Sequence, residues 1–147
     1  MKSLTALRWG AALIACAGLA GCVAPAPERA AATTADGDGV ACPGARPGTA
    51  TRVWIRIDYA RDGRPSAVPE NCHVARGTEV VFRANGAPFE IAFKQQSPAG
   101  PSAPRQLPSR AEQGMQKARV RAAGPGTEYR YGIRANGIEV DPAIIIH

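Results

Sequence analysis

The feature that most constrains the fold is an alternation of apolar and polar residues that runs from Thr49 to the end of the chain. In the segment Arg52–Tyr59, the side chains of Val53, Ile55 and Ile57 fall on one face, and mainly polar or charged residues fall on the other. Successive side chains of a strand point to opposite sides of the sheet, so this period of two is typical of half-buried strands. No segment shows a convincing amphipathic helix pattern.

The alternation recurs in short segments that are separated by turn signals. The predicted strands are Arg52–Tyr59, Val68–Val74, Gly77–Arg83, Pro88–Lys94, Met115–Ala122, Glu128–Arg134, and a final strand from Ile138 to Ile146 that Asp141-Pro142 interrupts. Two Asn-Gly pairs, at 85–86 and 136–137, are strong hairpin signals. Pro69 limits the second segment to a sheet edge or a bulge. About six or seven short strands at regular spacing predict an all-β domain, a β-sandwich, over residues 49–147.

One segment within this domain lacks any apolar rhythm. Gln95–Gly114 contains four prolines, at positions 98, 101, 104 and 108. Loops of this length are uncommon in compact domains and are often functional or mobile. We therefore expect Gln95–Gly114 to be a long loop and a candidate surface for contact with a partner.

Charge and composition exclude several classes of protein. The chain carries 18 basic and 12 acidic residues, a formal charge of +6 that is spread along its length. This pattern does not indicate a nucleic-acid-binding arm. The composition also excludes collagen, coiled coils, polytopic membrane proteins and wholly disordered chains. The basic surplus is typical of a solvated surface and also compatible with attraction to anionic glycans or lipids.

The N-terminal residues have the pattern of a secretory signal. Lys2 and Arg8 precede an uncharged run from Trp9 to Ala20. At about 1.5 Å per residue this run reaches roughly 18 Å, too short for a bilayer core of about 30 Å. The run ends in Leu-Ala-Gly-Cys at positions 19–22, which resembles the lipobox of bacterial lipoproteins. The resemblance implies cleavage after residue 21 and acylation of Cys22.

The residue after Cys22 bears on location, and the segment that follows bears on domain organisation. Val23 stands where an Asp would favour retention in the inner membrane, so the resemblance implies an outer-membrane lipoprotein that faces the periplasm. Residues 22–48 are rich in Ala, Pro and Gly and contain no apolar periodicity. We expect them to form a flexible tether between the lipid anchor and the domain.

The cysteine count then leaves one pair. Cys16 lies in the signal and Cys22 is the lipidation site, so Cys42 and Cys72 remain. In an oxidising compartment two such thiols are expected to form a disulfide. The bridge would close a loop of about 31 residues, worth roughly 3–4 kcal/mol in the chain-entropy treatment. A reactive thiol or a metal ligand is the alternative.

Two stretches resemble the cupredoxin superfamily over roughly residues 50–147. Gly-Thr-Glu-Val-Val-Phe at 77–82, followed by a turn and Pro88-Phe89, is similar to a family strand and the loop after it. Arg-Tyr-Gly-Ile-Arg at 130–134, followed by a turn and an apolar strand, is similar to the last family hairpin. The resemblance implies a Greek-key β-sandwich.

The copper chemistry of that family does not carry over. A type 1 site needs two imidazoles, a thiolate and usually an axial Met. Where the family has its first His, this chain has Phe89 and Glu90, and the last hairpin turn has Arg-Ala-Asn-Gly at 134–137. We therefore expect no metal and no cofactor. The residual metal candidates are His73, His147 and Met115.

No catalytic constellation is evident, so we expect a protein that is not an enzyme. The densest basic feature is the strand that carries Lys117, Arg119 and Arg121, which alternation would place outward as a candidate contact for a partner. Three functions remain open. The first is a lipid-anchored binding or structural module that contacts an envelope protein or an anionic glycan. The second is a periplasmic copper- or metal-handling protein. The third is an immunity-type or inhibitor lipoprotein directed against a toxin or hydrolase.

Overall fold

The computed structural model describes residues 37–147. The expected signal peptide, Cys22 and the first part of the expected tether lie outside this range. The strands are β1 (Val40–Ala41), β2 (Arg52–Tyr59), β3 (Pro65–Val68), β4 (Asn71–Val74), β5 (Glu79–Ala84), β6 (Glu90–Phe93), β7 (Gln106–Pro108), β8 (Arg110–Glu112), β9 (Met115–Arg121), β10 (Glu128–Ala135), β11 (Ile138–Val140) and β12 (Ala143–Ile146). No helix between Gly37 and His147 could cross a membrane.

The strands form two six-stranded mixed sheets. The first sheet has the order β1-β2-β5-β9-β8, with β3 paired to β2. The second has the order β4-β12-β10-β6-β7, with β11 paired to β10. Within them, β2 runs parallel to β5, and β4 runs parallel to β12. The prediction of an all-β fold is confirmed, and the predicted number of strands is too low.

The core lies between the inner faces of the two sheets. The alternation in β2 buries Val53, Ile55 and Ile57, as the sequence predicts. Across the core, the Phe82 ring of the first sheet meets the Tyr131 ring of the second edge-on, with centroids 5.1 Å apart. One cluster of buried side chains therefore joins both sheets.

The predicted strand Val68–Val74 is wrong in detail, because the chain changes sheet within it. Residues up to Val68 belong to β3 in the first sheet, and residues from Asn71 belong to β4 in the second. The Val68–Pro69 peptide bond between them is cis. Pro69 thus lies at a crossing between the sheets rather than inside an edge strand.

The expected long loop Gln95–Gly114 is also corrected. It contains β7, at the edge of the second sheet, and β8, at the edge of the first. Ser109 is the crossing residue, and its backbone N–H donates to the carbonyl oxygen of Phe89 at 2.8 Å. Its hydroxyl in turn accepts the N–H of Phe89 at 2.9 Å. Pro108 fits this arrangement because an edge strand tolerates a missing backbone donor.

The domain begins before the predicted boundary at residue 49. Val40 and Ala41 pair in parallel with Val53 and Trp54. The N–H of Cys42 continues the pairing by donating to the carbonyl oxygen of Trp54 at 2.8 Å. Residues 37–48 therefore belong to the folded domain and not to a free tether.

Candidate functional site

The outer face of the first sheet carries a row of cations that crosses four strands. Arg56 on β2 is in register with Arg83 on β5, which is in register with Lys117 on β9. Arg110 on β8 completes the row opposite Lys117. Like charges placed directly opposite each other on neighbouring strands are destabilising, so such a row requires counter-charge.

Asp38 supplies a carboxylate to the middle of this row. Its Oδ2 lies 2.5 Å from the Lys117 Nζ and 4.0 Å from an Arg83 nitrogen, and its Oδ1 lies 3.7 Å from Arg119. Asp38 and Lys117 are 3% and 5% exposed. The segment that precedes β1 therefore reaches over the outer face of the first sheet and seats one buried carboxylate among three cations.

This arrangement corrects the expectation for Lys117. The alternation assigns Lys117 to the correct face, but the covering segment buries it, so it is not an exposed contact residue. The covering segment needs a glycine at position 39, where the backbone has a φ of +87°. A Cβ there would also overlap the backbone of Arg52, so the close approach depends on the absence of a side chain.

The other two expected contact residues differ from each other. Arg119 forms a two-pronged pair with Glu112, with both N–O distances 2.6 Å. The hydrogen bonds raise the pKa of Arg119 and lower the pKa of Glu112. Arg121 is exposed and has no ion pair with any residue in the described range. It lines a depression together with Gly37, Arg52 and Glu79. Of the three, Arg121 is therefore the residue most open to a partner.

Trp54 lies on the same outer face, half-buried. The guanidinium of Arg83 stacks over its indole ring at 3.7 Å from the centroid. Such cation–π contacts hold a guanidinium flat against an aromatic face. Arg83 is thus fixed between Trp54 and the carboxylate of Asp38.

The outer face of the second sheet has a different charge pattern, in which cations and carboxylates alternate. Glu139 bonds the Lys94 ammonium and also accepts from Arg134 at 2.8 Å. Arg134 reaches Glu90 as well, at 3.2 Å. Hydrogen bonds from Lys94 and Arg134 hold the pKa of Glu139 below its ordinary value. A Cβ at Gly132 would overlap the Glu139 carboxylate, so glycine is needed on β10 for this bridge.

The two histidines of the chain meet on the outer side of the second sheet. His73 on β4 is in register with Ile145 on β12, and His147 lies two residues beyond Ile145. The Nδ1 of His73 is 2.9 Å from the Nε2 of His147, although the residues are 74 positions apart. Sequence spacing gave no sign of this contact, because it depends on the parallel pairing of β4 with β12.

The third metal candidate is not part of this cluster. Met115 begins β9 in the first sheet, opposite Glu112. Within residues 37–147, no group of three or more His, Cys, Asp or Glu side chains is placed to hold a metal ion. The structure therefore brings together two of the three candidate ligands.

The remaining cysteines lie where the expected disulfide requires them. The Cα atoms of Cys42 and Cys72 are 5.7 Å apart and the sulfurs are at bonding distance. Cys72 is fully buried. The bridge joins the segment after β1, in the first sheet, to β4, in the second.

One buried polar group has no role that sequence reasoning identified. The Tyr131 hydroxyl is buried in the core and has no hydrogen-bond partner among the described residues. Burial, with a smaller effect of the Glu70 charge, raises the pKa of Tyr131 above its ordinary range. It remains a neutral phenol at physiological pH.

Comparisons with known proteins add no family. No protein-family model matches the chain. A search of curated proteins finds no match either.

Proposed function

We propose that this protein is a lipid-anchored outer-membrane module that faces the periplasm and binds an anionic envelope glycan through the outer face of its first sheet. The proposal assigns the domain a binding role and no catalysis. The lipobox-like sequence that ends at Cys22, with Val23 after it, supports the anchor and its location. The charge distribution of the two sheets supports the ligand class.

The observation that carries the binding proposal is a charge imbalance between the two outer faces. Over the described residues, the first sheet presents seven cationic side chains against four carboxylates, counting the Asp38 that covers it. The cations are Arg52, Arg56, Arg83, Arg110, Lys117, Arg119 and Arg121, and the carboxylates are Asp38, Asp58, Glu79 and Glu112. The second sheet presents three cations, Lys94, Arg130 and Arg134, against four carboxylates, Glu90, Glu128, Glu139 and Asp141. A surplus of three positive charges therefore lies on one face.

The shape of that face favours a polymer over a small anion. Neighbouring strands lie about 4.8 Å apart, so cations in register across them form a line of regularly spaced charges. Of this row, Arg56 and Arg110 are exposed while the covering segment buries Lys117, so a repeating acidic glycan would contact the exposed cations on either side of that segment. Arg110 and Arg121, both exposed and without ion pairs in the described range, are the residues we expect to contact it first.

We further propose that the sandwich is cupredoxin-like in its connections and lacks the copper site of that family. The segments at 77–82 and 130–134 that resemble the family correspond to β5 and β10, one in each sheet. The turn after β10 carries Asn136 and Gly137 in place of family ligands. Cys42 and Cys72 form a disulfide, so neither supplies a thiolate ligand. These features support a scaffold used for contact.

Binding to a linear uronic-acid polymer, sodium polygalacturonate, tests the ligand class. We compare Arg110→Gln/Arg121→Gln with a control of equal charge change, Arg105→Gln/Arg130→Gln, whose residues lie at the second sheet. We expect the first variant to weaken binding at least about tenfold more than the control, with a shallower dependence on salt. Equal losses would reduce the effect to net charge and refute the assigned face. A wild-type chain that ignores the polymer and instead captures an acidic envelope protein would also overturn the proposal.

Metabolic labelling with a fatty acid tests the anchor separately. The wild-type chain should incorporate label and fractionate with the outer membrane, and Cys22→Ala should do neither. Cys16→Ala is the matched control and should label normally. Label retained by Cys22→Ala would refute acylation at that residue.

A further inference from the structure

We propose that His73 and His147 form a binding site for a divalent late first-row transition metal, with copper(II) bound most tightly. This inference is independent of the glycan-binding proposal, because it concerns the other sheet. Its starting point is the 2.9 Å distance between the Nδ1 of His73 and the Nε2 of His147.

The rings face each other through these two nitrogens. Their centroids are 5.2 Å apart, which is the nitrogen separation plus about one ring radius on each side. The planes are inclined by only 27°. The contact is therefore an edge-to-edge hydrogen bond between imidazoles, in which one nitrogen donates and the other accepts.

The two nitrogens are already as close together as two neighbouring ligands of one metal ion. Imidazole nitrogens lie about 2.0–2.1 Å from such metals, so two neighbouring ligands of one ion are about 2.9–3.4 Å apart. The two lone-pair directions now lie along the line between the nitrogens, so each ring must rotate by about 35–45° to aim its nitrogen at a common metal position. The donor ring must carry its proton on its other nitrogen when the metal binds. Its facing N–H proton passes to solvent, the other nitrogen gains one, and no net proton is released from a neutral pair.

The backbone fixes both histidines in place. The backbone N–H of His73 donates to the carbonyl oxygen of Pro43 at 3.0 Å. The backbone N–H of His147 donates to the carbonyl oxygen of Val74, also at 3.0 Å. His73 also follows Cys72, which is held by the disulfide. Because the two rings are already adjacent, binding costs little ordering of the chain.

The surroundings leave the pair accessible to a hydrated ion. His147 is exposed and His73 is partly buried. The nearest cation in sequence to His73, Arg76, turns its guanidinium to the carbonyl oxygen of Ala123 at 3.0 Å. Since no third side-chain ligand stands near among the described residues, water completes the coordination. Imidazole donors and the general order of divalent affinities favour copper(II) over nickel and zinc.

Calorimetric titration with copper(II) chloride tests the site in the untagged full chain, solubilised in detergent. We expect one copper per chain and about tenfold or greater weakening in either His73→Gln or His147→Gln. The double variant gives the background from the rest of the chain. Met115→Leu is the control, because the methionine is on the first sheet, and it should bind as the wild type does. Each variant's thermal unfolding is measured to establish that it folds.

Electron paramagnetic resonance gives a second readout that folding alone would not change. The copper signal of the wild type should show splitting from two nitrogen ligands. In each single variant, the splitting from at least one of these nitrogens should disappear. The proposal is overturned if the single variants retain wild-type affinity and splitting. It is equally overturned if the wild type binds no more copper than the double variant.

Discussion

Replacing Asp38 with Asn tests whether one buried carboxylate holds the segment before β1 on the first sheet. Asn preserves the size of the side chain and removes its charge. Lys117, 5% exposed, would then face Arg83 and Arg119 with no anion at its ammonium. The change leaves a buried cation beside two other cations, and an uncompensated buried charge is strongly destabilising.

The expected magnitude follows from the asymmetry of the cluster. Removing one partner of a buried pair costs about 3–5 kcal/mol, so we expect Asp38→Asn to lower the free energy of unfolding by about 3 kcal/mol. Lys117→Met should cost about 1–2 kcal/mol less than this, because Asp38 keeps two guanidinium groups nearby. The double variant should lose about 2 kcal/mol less than the sum of the two single losses, because the two substitutions remove interacting charges.

Local release of the segment sets an upper limit to these losses. If residues 37–41 detach, Lys117 regains water, so the global cost cannot exceed the free energy of that opening. The disulfide at Cys42 stops the opening there. Faster hydrogen exchange at the Cys42 amide, which donates to Trp54, would report this event.

Urea unfolding with the disulfide intact measures the global effect. The matched control is Asp58→Asn, which breaks the exposed pair with Arg56 and should cost at most about 1 kcal/mol. Reaction with an amine-specific reagent gives an independent check. Lys94, whose side chain is 39% exposed, should react in the wild type, and Lys117 should react only in Asp38→Asn. The reasoning fails if Asp38→Asn costs no more than the control and leaves Lys117 unreactive.

Three further outcomes follow from the buried and bridged groups. Tyr131→Phe should leave the free energy of unfolding unchanged or raise it by about 1 kcal/mol, because the buried hydroxyl has no partner among residues 37–147. A loss above about 1 kcal/mol in a urea melt would contradict this. Serine at both Cys42 and Cys72 should cost about 3–4 kcal/mol in the same assay, and an unchanged midpoint would refute the bridge. The lowered pKa of Glu139 adds stability above the ordinary value of 4.5 that is lost as pH falls through the folded-state pKa. Glu139→Gln should therefore flatten the acid limb of stability against pH, and an unaltered limb would refute its contribution.

Alternation predicted the central strands well and the edge strands poorly. In β2, β9 and β10 the inward apolar residues lie in the core or pack against it, so the pattern identifies the inner face of these strands. Strands of two or three residues, such as β1, β7 and β8, are too short to show a period. Their pairing is set by the neighbouring strand, and no local pattern of their own indicates it.

The candidate sites show the same limit at the level of single residues. The face of Lys117 follows from its position in β9, but its burial follows from Asp38, which is 79 positions earlier in the chain and carries no local signal. The meeting of His73 and His147 requires β4 and β12 to run parallel. Parallel neighbours are joined by long connections, and sequence spacing does not reveal which strands become neighbours.

The position of the disulfide has a mechanical consequence. A force that pulls on the chain before Gly37 first loads the Asp38 pair and the two-residue pairing of β1 with β2. Once these yield, the load reaches Cys42 and passes through the covalent bridge to Cys72 in β4. The first few residues thus yield first, and the cross-link then directs further load to β4 rather than to β2.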